Sequence, residues 1–201
     1  MISADERVRA ADRILPLPAG QVSLPMAFLL VVSGPPGAGK STVSHILAGK
    51  FERSVLVAGD AFFEFLSRDA IDPWLPAAHQ QNEVVVRAAA AATGQFVAAG
   101  FATVYDGVLG PWLLAEFAAA AAVGELHYVI LLPPVEQCLN QVATRSEHGF
   151  KDEDATRHMH REFAQAVIDQ RHLIANFAGT AKDAADEILS RLGEGALHVS
   201  Y

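Results

Sequence analysis

The sequence predicts an α/β fold: three layers, with helices on both faces of a central parallel sheet of about five strands. Short β-branched or aliphatic runs, apolar on both faces, alternate with helix-length segments, which is the pattern of buried parallel strands. At 201 residues the chain is long enough for one such domain with a sizeable core. Although 51% of it is apolar, 36 residues are alanine, which favours helix more than it adds core volume.

The first 25 residues are expected to be a charged arm, helical over Ala4–Leu15 and closed by Pro16, Pro18, Gly20 and Pro25, and residues 26–201 the domain. The aliphatic run Ala27–Ser33 predicts a strand, and Lys40–Phe51, opening after a glycine-rich turn, a helix. Ser54–Ala58 is a second β-branched run, and Ala61–Ser67 a short helix behind Asp60. The stiff Asp72-Pro73-Trp74-Leu75-Pro76 loop separates it from a long helix over His79–Ala99. A strand Phe101–Tyr105 follows, then a helix Pro111–Val123 opened by proline. Glu125–Leu132 predicts a strand, Pro134–Ser146 and Asp154–Gln170 helices, His172–Ala175 a strand and Ala181–Leu192 the last helix. The alanine runs Ala88–Ala92 and Ala118–Ala122 fall on helices expected to approach the sheet closely.

A formal net charge of −8 offers no basic footprint for nucleic acid. The single cysteine, Cys138, cannot close an intramolecular disulfide, which fits a reducing, cytoplasmic compartment. The charged first residues carry no apolar stretch of a signal peptide, and Met26–Val32 is far short of a membrane span. Ala88–Tyr105 is uncharged over eighteen residues but contains Thr93, Gly94, Gln95 and Gly100, and reads as a buried helix followed by a strand.

The segment Gly34-Pro35-Pro36-Gly37-Ala38-Gly39-Lys40-Ser41 matches the phosphate-binding loop in full, between an expected strand and an expected helix. Gly34, Gly37 and Gly39 permit backbone angles and close approaches that a Cβ would block, so the N–H groups around Ala38 can face phosphate oxygens. The helix behind them adds its positive dipole end. Lys40 would reach the β- and γ-phosphates of ATP, Ser41 would place its hydroxyl on Mg²⁺, and Thr42 would touch the α-phosphate. A guanine-reading Asn-Lys-x-Asp is absent, which argues against a switch GTPase.

Two carboxylates are expected at the same sheet edge, where ligands of open α/β sheets bind. Asp60 follows the second strand, placed to accept or orient a substrate hydroxyl, and could also cap a helix. Asp106 follows the third, placed to hold a water on Mg²⁺ or to orient the acceptor, or else forms an ordinary Asp-Gly turn.

With these motifs the chain resembles the small P-loop kinases of the chloramphenicol phosphotransferase, zeta-toxin, gluconokinase and shikimate-kinase type. The resemblance rests on Gly34–Ser41, Gly59-Asp60-Ala61-Phe62, Val104-Tyr105-Asp106-Gly107 and an arginine-bearing stretch after the fourth strand, and spans about Phe28–Leu192. It implies a P-loop NTPase fold, MgATP as phosphoryl donor, Asp60 as the residue that handles the acceptor hydroxyl, and an arginine-bearing lid over about 145–160. Arg145 and Arg157 are then the arginines expected on the transferring phosphate, with Arg161 on the same helix face as Arg157, unless they serve the neighbouring acidic side chains instead.

Phe63, Arg68, Trp74 and Arg87 are candidate acceptor contacts by position, together with Asp60 and Asp106; Trp112 is expected in the same cleft, and the aromatic residues lean toward a partly apolar acceptor such as an antibiotic. His158 and His160 are two apart on a helix and point apart, which argues against a zinc site with His148. The reading is a kinase for a small-molecule hydroxyl. Its alternatives are a zeta-toxin-like UDP-sugar kinase, a polynucleotide 5′-kinase, or an ATP-binding module without an acceptor. Neither the acceptor nor the oligomeric state is legible.

Overall fold

The computed structural model describes residues 27–144, 151–175 and 179–201. The expected N-terminal arm, Arg145, His148 and the front of the expected lid lie outside the described residues. The elements run β1 (Phe28–Ser33), α1 (Lys40–Ala48), β2 (Ser54–Ala58), a 3₁₀ segment (Gly59–Phe65), a 3₁₀ turn (Pro76–Ala78), α2 (His79–Ala98), β3 (Ala102–Asp106) and α3 (Pro111–Ala120). They continue with β4 (Glu125–Leu131), α4 (Val135–Ala143), α5 (Glu153–Gln165), a 3₁₀ turn (Gln170–His172), β5 (Leu173–Ile174), α6 (Ala181–Gly193) and β6 (His198–Ser200).

The sheet order is β2-β3-β1-β4-β5, all parallel, with β6 antiparallel against the start of β4. Alternation along β1 divides the interior in two. Leu30 and Val32 face a cluster that includes Val43 and Leu47 of α1 and Ile188 and Leu192 of α6. Leu29 and Val31 face Val86, Ala89 and Ala90 of α2, Phe117 and Ala118 of α3, and Phe163 of α5. The three-layer α/β/α arrangement expected from the sequence is the fold observed.

The alanine runs do what their small volume suggests. Ala89, Ala90, Ala118 and Ala121 are buried, and the backbones of α2 and α3 approach so closely that a Cβ on Gly94 would strike the Ala121 carbonyl. Three details differ from the expectation. The segment behind Asp60 is a 3₁₀ helix and ends at Leu66 in extended backbone. The helix expected over Asp154–Gln170 stops at Gln165, because Ala166 turns extended and Asp169 caps a separate turn at Arg171. β6 was not expected; three residues are too few to show a period, and its partner is the far end of β4.

After β1 the chain crosses to β2 over one face, and after β3 it crosses to β4 over the other. These opposite departures open a crevice at the carboxyl ends of β1 and β3, where the glycine-rich loop and Asp106 stand.

Candidate functional site

The loop from Gly34 to Lys40 is shaped by positions that only glycine fills. Gly34 and Gly37 have φ of +141° and +78°, and a Cβ on them would run into the carbonyl oxygens of Leu131 and Cys138. Cys138 is buried, and burial pushes its thiol up to about 11, so it serves as a packing residue that backs the loop. Gly39 is the N-cap of α1 with φ +87°, and no capping side chain occupies the amides of that helix's first turn. Those amides are thus available to an anion. Lys40 opens the helix, is only 6% exposed, and donates from Nζ to the Pro35 carbonyl at 3.1 Å, so its ammonium curls over the loop. Ser41 and Thr42 follow with exposed side chains at the same end.

Asp106 ends β3, paired in register with Val32 on one side and Ala58 on the other. The turn behind it is fixed to β1: Gly107 N–H donates to the Val32 carbonyl at 3.4 Å and Leu109 N–H to Ser33 Oγ at 3.0 Å. The Ser33 and Tyr128 hydroxyls both donate to the Leu109 carbonyl at 2.6 Å. Asp60 joins this network by accepting from Val108 N–H at 3.3 Å, so the two carboxylate-bearing turns are tied together. The Tyr105 ring fills the space between them; a Cβ on either Gly59 or Gly107 would meet it.

The electrostatics follow from burial. Burial raises the Asp106 carboxyl above the usual carboxylate range and Asp60 adds to this, while the Ser41 hydroxyl and the Lys40 ammonium pull it down. Oδ1 of Asp106 is buried with no hydrogen-bond partner. A carboxylate left in that state is a fit for a hard cation shared with the Ser41 hydroxyl, oxygen donors of the kind Mg²⁺ prefers.

From the loop, a cleft of about 980 Å³ extends across the carboxyl edge of the sheet. Pro36, Gly37, Gly39, Lys40, Ser41, Thr42 and Asp60 line one end. Phe63, Trp74, Leu75, Val86, Trp112 and Leu113 build an apolar wall beyond it. Trp112 is braced by Phe163 of α5, with ring centroids 5.5 Å apart.

Of the residues singled out from sequence, Lys40, Ser41, Thr42, Asp60, Phe63, Trp74 and Trp112 come together in this cleft. Asp106 lies buried behind Asp60 and Ser41. Arg68 is exposed and not among the lining residues. Arg87 is turned to Glu116 at 2.9 Å, and Arg157 to Glu136 at 3.2 Å, so neither lines the cleft in this conformation. His160 is occupied with the Pro133 carbonyl at 2.8 Å, whereas His158 faces the cleft.

Sequence reasoning missed His79, Asn82, Met159 and Glu162 as lining residues. The signal was helical spacing: 79, 82 and 86 share one face of α2, and 158, 159 and 162 one face of α5. Nothing in one sequence says which of two faces meets the ligand.

The phosphate loop, the paired carboxylate turns and the 2-3-1-4-5 sheet define a P-loop domain. The chain belongs to the AAA domain family, whose model matches residues 29–168. No curated protein matches it in sequence. Among solved structures it is similar to the tunicamycin resistance protein of Deinococcus radiodurans, at 14% identity and TM-score 0.64, covering 83% of this chain and 96% of that one. A sugar kinase from Janibacter sp. HTCC2649 matches at 16% identity and TM-score 0.63, over 83% and 94% of the two chains. A gluconokinase from Sinorhizobium meliloti 1021 matches at 19% and 0.59, over 86% and 95%. These likenesses establish the shared fold. Among the described residues no helix is long and apolar enough to cross a membrane.

Proposed function

We propose that this protein is a kinase that transfers the γ-phosphoryl group of ATP to a hydroxyl of a small, partly apolar molecule. The observation that carries the proposal is the placement of Asp60. It stands in one cleft with the phosphate loop, bound to the turn behind Asp106, at the point where the polar end of the cleft gives way to an apolar wall. Neighbours named as a sugar kinase and a gluconokinase support a small hydroxylated acceptor. The reducing compartment that fits a lone cysteine supports a cytoplasmic location.

The amides from Gly37 to Ser41 grip the phosphates of ATP, and Lys40 adds a point charge against the β- and γ-phosphates. Ser41 and Asp106 would hold Mg²⁺, which when bound neutralises charge on the transferring group. The acceptor lies against the wall of Phe63, Trp74 and Trp112 with its hydroxyl toward Asp60. Asp60 takes the hydroxyl proton as the acceptor oxygen bonds to the γ-phosphorus and the bond to the ADP oxygen breaks. Arg157 is held by an exposed ion pair worth about 0–1 kcal/mol, weak enough to exchange Glu136 for a phosphate, and Arg145 is assigned the same task.

The test is ADP release from MgATP with and without a pooled library of small alcohols. The proposal expects acceptor-dependent release that is lost in Asp60→Asn. Acceptor-independent release that Asp60→Asn leaves unchanged points instead to a nucleotide-binding module without an acceptor.

A further inference from the structure

The acceptor end of the cleft carries a charge pattern that narrows the substrate class, an inference that rests on the kinase reading above. Lys40 is the sole lysine or arginine among the described lining residues, and it belongs to the phosphate loop. The acidic lining residues are Asp60 and Glu162. His79 also lines the cleft, but Glu83 on its own helix holds it at 3.1 Å. The arginines of the flanking helices are not among the lining residues: Arg87 on α2 and Arg157 on α5 are directed to Glu116 and Glu136, and Arg161 on α5 is exposed.

Glu162 sits beside the apolar wall. On α5 it lies one turn after His158 and three residues after Met159, both lining, and next to Phe163, which packs on Trp112. It is exposed on the helix surface, and among the described residues no ion pair or hydrogen bond engages its carboxylate. Asp60 and Glu162 both line the cleft that holds Trp112, so an acceptor bound against Trp112 shares it with two carboxylates. Among the described lining residues the basic side chains are Lys40 of the phosphate loop and the histidines His79 and His158, so a carboxylate, phosphate or sulfate on that acceptor would share the cleft with two like charges and meet no lysine or arginine of the described lining beyond the phosphate loop.

We propose that the cleft selects alcohols without an anionic group, with Glu162 as the residue that reads the acceptor's charge and a protonated amine as the group it favours. Neutral acceptors bind through the apolar wall alone, amine-bearing ones gain Glu162 as counter-ion, and anionic ones are rejected.

Both tryptophans of the chain, Trp74 and Trp112, line the cleft, so intrinsic fluorescence reports occupancy of this wall without needing phosphoryl transfer. The probes are three benzyl alcohols matched in shape, bearing a 4-aminomethyl, a 4-carboxamide or a 4-carboxylate group, titrated into the full chain saturated with MgADP. The amine is expected to bind most tightly, and the carboxylate at least about tenfold more weakly than the amide. Glu162→Gln should erase the advantage of the amine over the amide, and Glu162→Lys should bring the carboxylate to or below the dissociation constant of the amide. Equal or tighter binding of the carboxylate by the unaltered chain overturns the proposal, as does a ranking that both Glu162 variants leave unmoved, or absence of quenching by all three probes. ADP release measured on the same samples keeps the two readings apart: the expected charge ranking without any acceptor-dependent release counts against the kinase assignment and not against charge selection.

Discussion

Alanine placed at Gly37 and at Gly39 separates two reasons for glycine in one loop. Both residues hold left-handed φ angles, +78° and +87°. An L-residue held there costs about 1–2 kcal/mol. At Gly39 no atom lies within 4 Å of the position a Cβ would take, so backbone strain is the whole cost. If the loop binds nucleotide in this shape, Gly39→Ala loses about 5- to 30-fold in affinity. At Gly37 the new methyl strikes backbone atoms of Cys138, in α4, which cannot rotate aside as a side chain would. Overpacking of that kind adds about 1–3 kcal/mol. The sum of about 2–5 kcal/mol corresponds to a loss of roughly 30-fold or more. Calorimetric titration with MgADP measures both. The reasoning is refuted if Gly37→Ala binds like the unaltered chain, or if Gly39→Ala is the more damaged of the two.

Three further outcomes are expected. Asp60→Asn lowers acceptor-dependent ADP release by about 10²- to 10⁴-fold while MgADP binding by calorimetry is unchanged. Trp74→Ala raises the acceptor KM by about tenfold or more, the scale of one lost aromatic contact, and leaves the KM for ATP in place. Burial lowers the pKa of His172, whose Nδ1 lies 2.9 Å from the Tyr128 carbonyl, and burial with His198 nearby lowers that of His127. Between those lowered values and the ordinary histidine value the unfolded chain binds more protons than the native one, so stability rises with pH through that window. Melting temperature should therefore fall as pH drops below about 6.5, and His172→Asn should flatten the slope; a melting temperature independent of pH over that range contradicts it.

Much of the fold and half of the site could be read from the chain because their signals are local. The glycines of Gly34–Ser41 are spaced by the loop itself, and β1, β3 and the second half of β4 are buried on both faces, so they lack the polar alternation of a half-exposed strand. Asp60 and Asp106 were legible because each stands at the end of a strand, where topology alone brings them to one edge. The apolar wall of the cleft was less so. Trp74 lay in a recognisable stiff loop, but Asn82 and Glu162 reach the cleft only because α2 and α5 turn particular faces toward it. That choice is made by packing, such as Phe163 against Trp112, and leaves no mark in the sequence around Glu162. Arg87 and Arg68 illustrate the converse. Position near the cleft in sequence suggested contact, yet Arg87 has a carboxylate partner on α3, and Arg68 stands in solvent.

If Asp60 directs the γ-phosphoryl of ATP to an organic hydroxyl, that phosphoryl group can be traced to its product. The direct measurement follows the label from γ-labelled MgATP incubated with the pooled neutral and amine-bearing alcohols, in the unaltered chain and in Asp60→Asn. Label is expected in an organic phosphate ester with the unaltered chain and is nearly lost from it in the variant, with nucleotide still bound. Label found solely as inorganic phosphate, formed at the same rate by both proteins, would contradict it.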